Sequence, residues 1–570
     1  AARPNKQPTN ATGSPSCTPS VTSSAPTPSP WWERRATREP SAEFDLYENH
    51  GHWLPMPSCA ARRSWPSHLM TKPAKSRSAQ ERSRPAQKSF ITQPASNPVS
   101  PSRSAAFHIL LRVATTAAHA DDLLHGPAVT ALSPLDRNLA TTLTLGVLRW
   151  QIALDARIES LLLRPGQVLP TPVAIALRLG AFQLLYLDRI PAHAALSESV
   201  ELVRIAHHPG AAGMVNAILR NLTRQPAPKS RVFETVSASA QRLGHPLWIV
   251  DRWVQNYGRS AALTICEHGQ KEPAHRSLFL PDVPAPNSPD QAAAANPAVE
   301  PEPSFHTPVR PSPAAVEDEA LQSSFGRPSV SLPLPQLDDG SRLVAELTAA
   351  VANHAASTAP IRIWDACAAP GGKTLILLHR HADAHLLATD SSPRRLHLLA
   401  ARLQAAVLPG REGLSGTSNV RTLPADAAQL PASEGLFDLI LCDVPCSGTG
   451  TLGRNPEIRH RLEPADLPRQ AIRQRQILSA ALAHLAPGGN LIYSTCSLEP
   501  EENEQVVSAV LATTPGITNP SLEPALERLS SSGILTSLPP NLIRNGCLRT
   551  VPGVNFQGDG FFAALLHRPA

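Results

Sequence analysis

The chain has 570 residues, with 52 Lys+Arg against 46 Asp+Glu for a formal net charge of +6, but 59 prolines and only 17% charged residues, so its packed part is smaller than its length implies. The mild basic balance permits an anionic partner such as RNA without requiring one. Eight scattered cysteines look neither like a disulfide framework nor like a zinc site, and the lack of a run of about 18 apolar residues or of a secretory leader leaves a reducing, cytoplasmic setting without metal or membrane as the expectation.

Residues 1–103 are rich in Ser, Pro, Thr, Ala and Arg without helical or strand period, and are expected to be a disordered tail. Acidic residues at Glu33, Glu39, Glu43, Asp45 and Glu48 argue against an organelle transit peptide. Over 104–230 apolar residues recur at three- and four-residue intervals in AAFHILLRVA, LDRNLATTLTLGVLRWQIALDARIESLL, PVAIALRLGAFQLLYL and GMVNAILRNL, which predicts an all-α domain. Its arginines, among them Arg112, Arg149 and Arg220, are expected to be exposed, more often as solvated charge than as phosphate ligands. Residues 231–280, containing HPLWIVDRWVQNYG, continue as a helical connector, and 281–335 return to Pro and Ala as a linker or insertion. An amphipathic helix over Leu337 to Ala352 opens a last module, 336–570.

That module alternates strand and helix: IRIWDAC, a helix from about Gly372, HLLATD, a helix from Ser392, VRTLPAD, FDLILCD, a helix from about Pro468 to Leu485, NLIYSTC, and a helix over PEENEQVVSAVLA. The alternation predicts an α/β, doubly wound sheet with a nucleotide-type ligand at its carboxyl edge. The first strand leads into DACAAPGGKT, where Gly371 and Gly372 would let backbone approach a ligand at a helix start. This is neither GxGxxG nor GxxxxGK[ST], which disfavours a dinucleotide or triphosphate. Lys373 is the only lysine after Lys271 in an arginine-rich stretch, which points to a specific task. Asp390 ends the second strand, Asp426 follows the third and Asp443 ends the fourth. Each alone is more often a capping residue, but acceptors at three successive strand ends suit a nucleoside ligand better than chance capping.

Two cysteines stand just beyond apolar runs, Cys446 in DVPCSGTG and Cys496 in IYSTCS, and are expected to face one pocket, whereas Cys442 inside its strand is a core residue. A thiolate is a strong nucleophile. One reaction needing such an attack is alkylation at C5 of a pyrimidine, a carbon too poor in electrons until a thiolate adds to C6. The C5 proton must then leave and the thiol be expelled, a step in which a second ionisable thiol has a natural task.

DACAAPGGKT, the segment from Asp390 to Leu396, PADAA, FDLILCDVPCSGTGTLGRNPEIRHRL and GGNLIYSTCSLEPEENEQVV resemble the successive motifs of the S-adenosylmethionine-dependent RNA cytosine-C5 methyltransferases, and LRTVPGVNFQGDGFFAALL fits their carboxyl-terminal pattern. In the helical region LDRNLATTLTLGVLR, LRLGAFQLLYLDRIPAHAALSESVEL and GMVNAILR resemble the RNA-binding domain of NusB. Together these are similar to the RsmB, Sun or Fmu family, which modifies 16S ribosomal RNA. The resemblance implies a Rossmann-like methyltransferase domain preceded by a NusB-like domain, and a cytoplasmic enzyme expected to be a monomer. It implies that S-adenosyl-L-methionine is held by Cys367, Ala368, Ala369, Pro370, Gly371, Gly372 and Lys373 with Asp390, Asp426 and Asp443. It implies Cys496 as nucleophile and Cys446 as the thiol assisting product release, with Asp443 near the cytosine edge. Val444 stands where the family usually has Ala, and PAHRSLFLPDVPAPNSP departs from the RNA-contacting strand placed there. The alternatives are a transfer RNA cytosine-C5 methylase, a DNA cytosine-C5 methylase, in which the PC-motif cysteine attacks and the thiols exchange roles, and a non-catalytic RNA-binding or antitermination protein.

Overall fold

The computed structural model describes residues 99–164, 166–225, 234–272, 278–279, 337–352, 360–406 and 419–570. The tail expected before residue 99 and the linker expected at 281–335 lie outside the described residues. The tail reading extends slightly too far. Helix α1 (Pro101–Thr115) starts with a proline at its first position, where the missing N–H costs nothing.

The amino-terminal region is helical, as its period predicts. Helices α1, α2 (Pro134–Glu159), α3 (Thr171–Tyr186), α4 (Ala192–Ile205) and α5 (Ala212–Leu222) pack around Phe107, Leu143, Val147, Ile175, Leu177, Val215 and Leu219, all nearly or wholly inaccessible. Ser133 caps α2 by accepting from Asp136 N. Arg112 and Arg220 are exposed as expected, but Arg149 is 4% exposed, and its Nε donates to Gly453 O at 3.0 Å. Helical spacing identifies the face a residue occupies, not whether another part of the chain covers that face.

Three helices follow, α6 (Val236–Arg242), α7 (Leu247–Tyr257) and α8 (Arg259–Gln270). Ile249, Val250, Trp253, Ile265 and Cys266 pack together with Leu452, Leu498 and Val551 from the carboxyl-terminal half. The connector is therefore built into the surface of the last module. Phe279, in the stretch departing from the family pattern, makes an isolated antiparallel bridge to Leu535 and is buried beneath the Arg342 guanidinium, 4.3 Å from its ring centre.

The last module begins with α9 (Asp339–Ala350), capped by Asp338, which accepts from Gly340 N and Ser341 N. It continues as β1 (Arg362–Asp365), α10 (Gly372–Arg380), β2 (His385–Asp390), α11 (Pro393–Ala406), β3 (Val420–Pro424), β4 (Phe437–Asp443), α12 (Asp466–Ala483), β5 (Leu485–Thr495), α13 (Glu504–Leu511), α14 (Glu523–Ser531), β6 (Ile543–Arg544), β7 (Cys547–Thr550) and β8 (Phe561–His567). The eight strands lie in the order β3-β2-β1-β4-β5-β8-β7-β6. Strands β1 to β5 are parallel, and β8 enters antiparallel beside β5. Leu485, expected to end a helix, instead opens β5, because it pairs with Phe437 across the sheet.

Both faces of the sheet are covered, which explains continuous apolar runs in place of alternation. Ile363, Leu439, Leu441 and Ile492 face Leu343, Leu347, Leu377 and Leu399. Trp364, Ile440, Cys442 and Tyr493 face Ile477, Leu478, Leu482 and Val506 on the other side. Each such fully buried aliphatic side chain contributes about 2 kcal/mol. Cys442 is wholly buried, the core role its position predicted. The sheet thus holds its carboxyl edge, with the loops after β1, β2, β3, β4 and β5, as a rigid rim.

Candidate active site

The loop after β1 is pinned on all sides. Ala366 N donates to Leu441 O at 2.9 Å and Ala368 N to Thr389 O at 2.8 Å. From α11, Arg395 donates to Ala369 O at 2.8 Å and Arg402 to Pro370 O at 2.9 Å. Gly371 precedes α10 at φ 102°, a conformation that disfavours a side chain. A Cβ there would lie 2.3 Å from Leu399 Cδ1, and one on Gly372 would lie 2.4 Å from Leu337 Cδ2. Gly371 is thus favoured by its backbone conformation, and both glycines let the apolar side chains of Leu399 and Leu337 pack close against the loop.

A cleft of about 200 Å³ opens at this edge. Of the predicted site residues, Cys367, Ala369, Asp390, Asp426, Asp443, Cys446 and Cys496 line it. Ala368, Pro370, Gly371, Gly372 and Lys373 are not among its walls and form the framework behind it. Asp390 is 6% exposed and accepts from Ser392 N at 2.8 Å, while Asp426 is exposed and accepts from Ala428 N at 3.0 Å. Both aspartates therefore cap a turn and line the cleft, so the two readings of a strand-end aspartate are not exclusive.

Strands β4 and β5 are hydrogen-bonded neighbours with Asp443 opposite Ser494. That register brings the two loops together, and Cys446 Sγ lies 3.2 Å from Cys496 Sγ. Gly450 N donates to Cys496 O at 2.9 Å, an approach that tolerates no side chain, since a Cβ on Gly450 would meet Gly560 O at 2.2 Å. The contact with Cys496, together with burial, pushes the Cys446 thiol well above its ordinary value. Such a pair shares one proton more readily than it carries two negative charges.

Behind the thiols, Lys373 Nζ lies 2.7 Å from Asp443 Oδ2, and Ser494 Oγ donates to Asp443 Oδ1 at 2.7 Å. Burial opposes the Lys373 charge, but the Asp443 carboxylate outweighs it and raises the ammonium above its ordinary value. Asp365 is buried beside this pair and accepts from Thr374 Oγ1 at 2.7 Å. Burial pushes Asp365 up to about 7, the Thr374 hydrogen bond opposing this and the Asp443 charge adding to it. The folded chain therefore holds this proton more tightly than the unfolded chain. The stabilisation is complete below pH ~4 and is lost as pH rises through about 7. Urea titrations of Asp365→Asn are expected to show a flatter stability profile between these limits, with the variant gaining on the parent at pH 8.

Three further residues escaped the sequence reading. Arg395 and Arg473 line the cleft from α11 and α12, but nothing separates them from other helix arginines until the helices are placed. Glu502 accepts hydrogen bonds from both Ser447 and Ser497, the residues that follow the two cysteines. Its presence in the motif EPEEN was a signal, but its contact with the first loop was not visible. Among the described residues no group of three or more His, Cys, Asp or Glu is placed to hold a metal, and no helix is long and apolar enough to cross a membrane.

Comparison with known proteins gives the family. Residues 355–567 match the family described as 16S rRNA methyltransferase RsmB/F, and residues 100–224 match the NusB family. The probable ribosomal RNA small subunit methyltransferase B of Bacillus subtilis is 31% identical over 441 residues, covering 77% of this chain and 92% of its own. Ribosomal RNA small subunit methyltransferase B of Escherichia coli O1:K1 is also 31% identical over 441 residues, with the same coverage. In fold, the crystal structure of PH0851 matches with a TM-score of 0.58 at 19% identity, covering 84% of this chain and all of that one. Similarity of this extent, spanning the helical region and the sheet that carries the cleft, establishes that the chain is a methyltransferase and belongs to the RsmB/F family of 16S rRNA methyltransferases.

Proposed function

We propose that this enzyme transfers a methyl group from S-adenosyl-L-methionine to C5 of a cytosine in 16S ribosomal RNA, by way of a covalent bond between Cys496 and C6 of the base. The observation that carries this reading is the pair of thiols 3.2 Å apart, opening on the cleft that Asp390 and Asp426 also line.

The residues fit the donor. Asp390, at the end of β2, presents a carboxylate suited to ribose hydroxyls, and Asp426 an acceptor suited to an adenine amino group. Cys367 and Ala369 form one wall, with Ala368, Pro370, Gly371, Gly372 and Lys373 setting its course. Bound there, the donor supplies an electrophilic methyl. Cys496 attacks C6 as a thiolate, and Asp443 favours protonation at N3 of the base as the thiolate adds. After transfer, Cys446 assists loss of the C5 proton and expulsion of Cys496. Lys373 holds Asp443 in place through its ion pair. The helical domain over 104–230 supplies RNA contacts, with Arg112 and Arg220 available on its surface.

Titration calorimetry tests the donor assignment. Asp390→Ala removes a charge-assisted acceptor, worth about 1.5–3 kcal/mol, so S-adenosylmethionine affinity is expected to fall about 10- to 100-fold. Bisulfite mapping of ribosomal RNA from cells lacking the gene tests the substrate. A single lost 16S cytosine modification is expected, and an unchanged pattern overturns the reading.

A further inference from the structure

Glu502 is a buried acid that the reaction outlined above leaves unused. It follows β5 and lies just before α13, and none of its surface is accessible. Its Oε1 accepts from Ser447 N at 2.9 Å and from Gln474 Nε2 at 3.0 Å. Its Oε2 accepts from the hydroxyls of both Ser447 and Ser497, whose oxygens are themselves 3.1 Å apart. Ser447 and Ser497 directly follow Cys446 and Cys496, so one carboxylate is tied to the residue after each thiol. The backbone holds the acid in turn, since Tyr493 Oη donates to Glu502 O at 2.6 Å, and Asn503 donates to Ser497 O at 2.9 Å while accepting from Thr495 Oγ1 at 2.5 Å.

The arrangement is asymmetric in a way that matters for chemistry. Glu502 bonds the Cys446 loop through a backbone N–H as well as a hydroxyl, but the Cys496 loop through the Ser497 hydroxyl. Its charge adds to the Cys496 contact and the burial that raise the Cys446 thiol. An anion held at the residue after Cys446, through both a backbone N–H and a hydroxyl, disfavours a thiolate on that loop. Four hydrogen bonds make the buried charge tolerable. A neutral amide of the same shape would serve the clamp alone.

We infer that Glu502 is a positioning residue for the methyl transfer, which ties the two cysteine loops to one carboxylate and sets its charge against the Cys446 loop, so that two thiols in contact are not equivalent. The inference rests on the proposed two-thiol reaction, deepening it with the reason why two cysteines in contact perform unequal tasks.

The test uses iodoacetamide, which reacts with thiolate, on the full-length protein without RNA, with the two cysteine peptides quantified by mass spectrometry across pH. The parent is expected to be alkylated first at Cys496. In Glu502→Gln, which keeps the shape and removes the charge, the ratio of Cys446 to Cys496 alkylation is expected to rise about tenfold, as for a shift of one pKa unit. Its Cys446 profile moves to lower pH, with S-adenosylmethionine binding unchanged. Glu502→Asp retains the charge on a shorter arm and is expected to keep Cys496 preference while slowing turnover. An unchanged alkylation ratio in a Glu502→Gln protein that binds donor overturns the inference. If Glu502→Gln does not fold, a Glu502→Asp protein that loses Cys496 preference does so as well. The readout needs no RNA chemistry, so parent protein that never methylates RNA refutes the proposed reaction without altering this result.

Discussion

Cys496→Ala is expected to abolish methylation, lowering turnover by at least about 10³-fold, and to leave no covalent RNA adduct. C5 of cytosine carries too little electron density to accept a methyl group until a nucleophile has added to C6. In this site Cys496 is the thiol beyond β5 and lines the cleft together with Asp443. The companion variant, Cys446→Ala, is expected to behave differently. Attack and transfer remain available to it, but release loses its second thiol, so enzyme should accumulate bound to RNA and migrate as a retarded band under denaturing conditions. The two variants together are diagnostic, because the sulfurs are 3.2 Å apart and a merely steric effect would impair both alike. Accumulation of adduct in the Cys496 variant would reverse the assignment and give Cys446 the attacking role, as in DNA cytosine methylases.

The largest stability loss is expected from Arg459→Ala. Its guanidinium is 2% exposed and donates to Arg149 O at 2.9 Å, Gly244 O at 3.3 Å, Gly269 O at 2.7 Å and Leu452 O at 3.2 Å. Three of these carbonyls belong to the helical half and the fourth to the loop that follows Cys446. The neighbouring residues repeat the pattern, His460 bonding Leu148 O at 2.8 Å and Arg461 donating to Val113 O at 2.8 Å. Arg149 O keeps the donor Gln270 Nε2 at 3.0 Å, but alanine would take a partner from the other buried carbonyls, each costing about 1–3 kcal/mol, so a loss of about 3–5 kcal/mol is expected, seen as a lower urea midpoint by tryptophan fluorescence. Lysine should not restore it, because a point charge cannot reproduce a planar fork reaching four acceptors. An unchanged midpoint would show that the helical half is not held through this residue.

Legibility differed between kinds of residue for identifiable reasons. Strand ends were visible because an apolar run bounded by Asp or Cys is a local signal, and β2 and β4 indeed end at Asp390 and Asp443. Arg149 was misplaced because the same helical spacing describes a solvated face and a face covered by Gly453. The final strand FFAALLH was legible only as part of a motif. Its insertion beside β5, ahead of β7 and β6, is a question of order among non-adjacent segments that spacing does not encode.

By itself the sequence determined which residues are able to do chemistry: two thiols beyond apolar strands, acidic residues at successive strand ends, and a solitary lysine after a glycine pair. These follow from local periodicity and from side-chain type, both carried within a few residues. Only the tertiary structure decided what those groups do to each other. The β4–β5 register brings the thiols into contact, α10 aims Lys373 at Asp443, and the turn before α13 sets Glu502 between the cysteine loops. Cys446 and Cys496 are fifty residues apart in the chain, and their proximity, like the charge asymmetry around them, exists only once the sheet has formed.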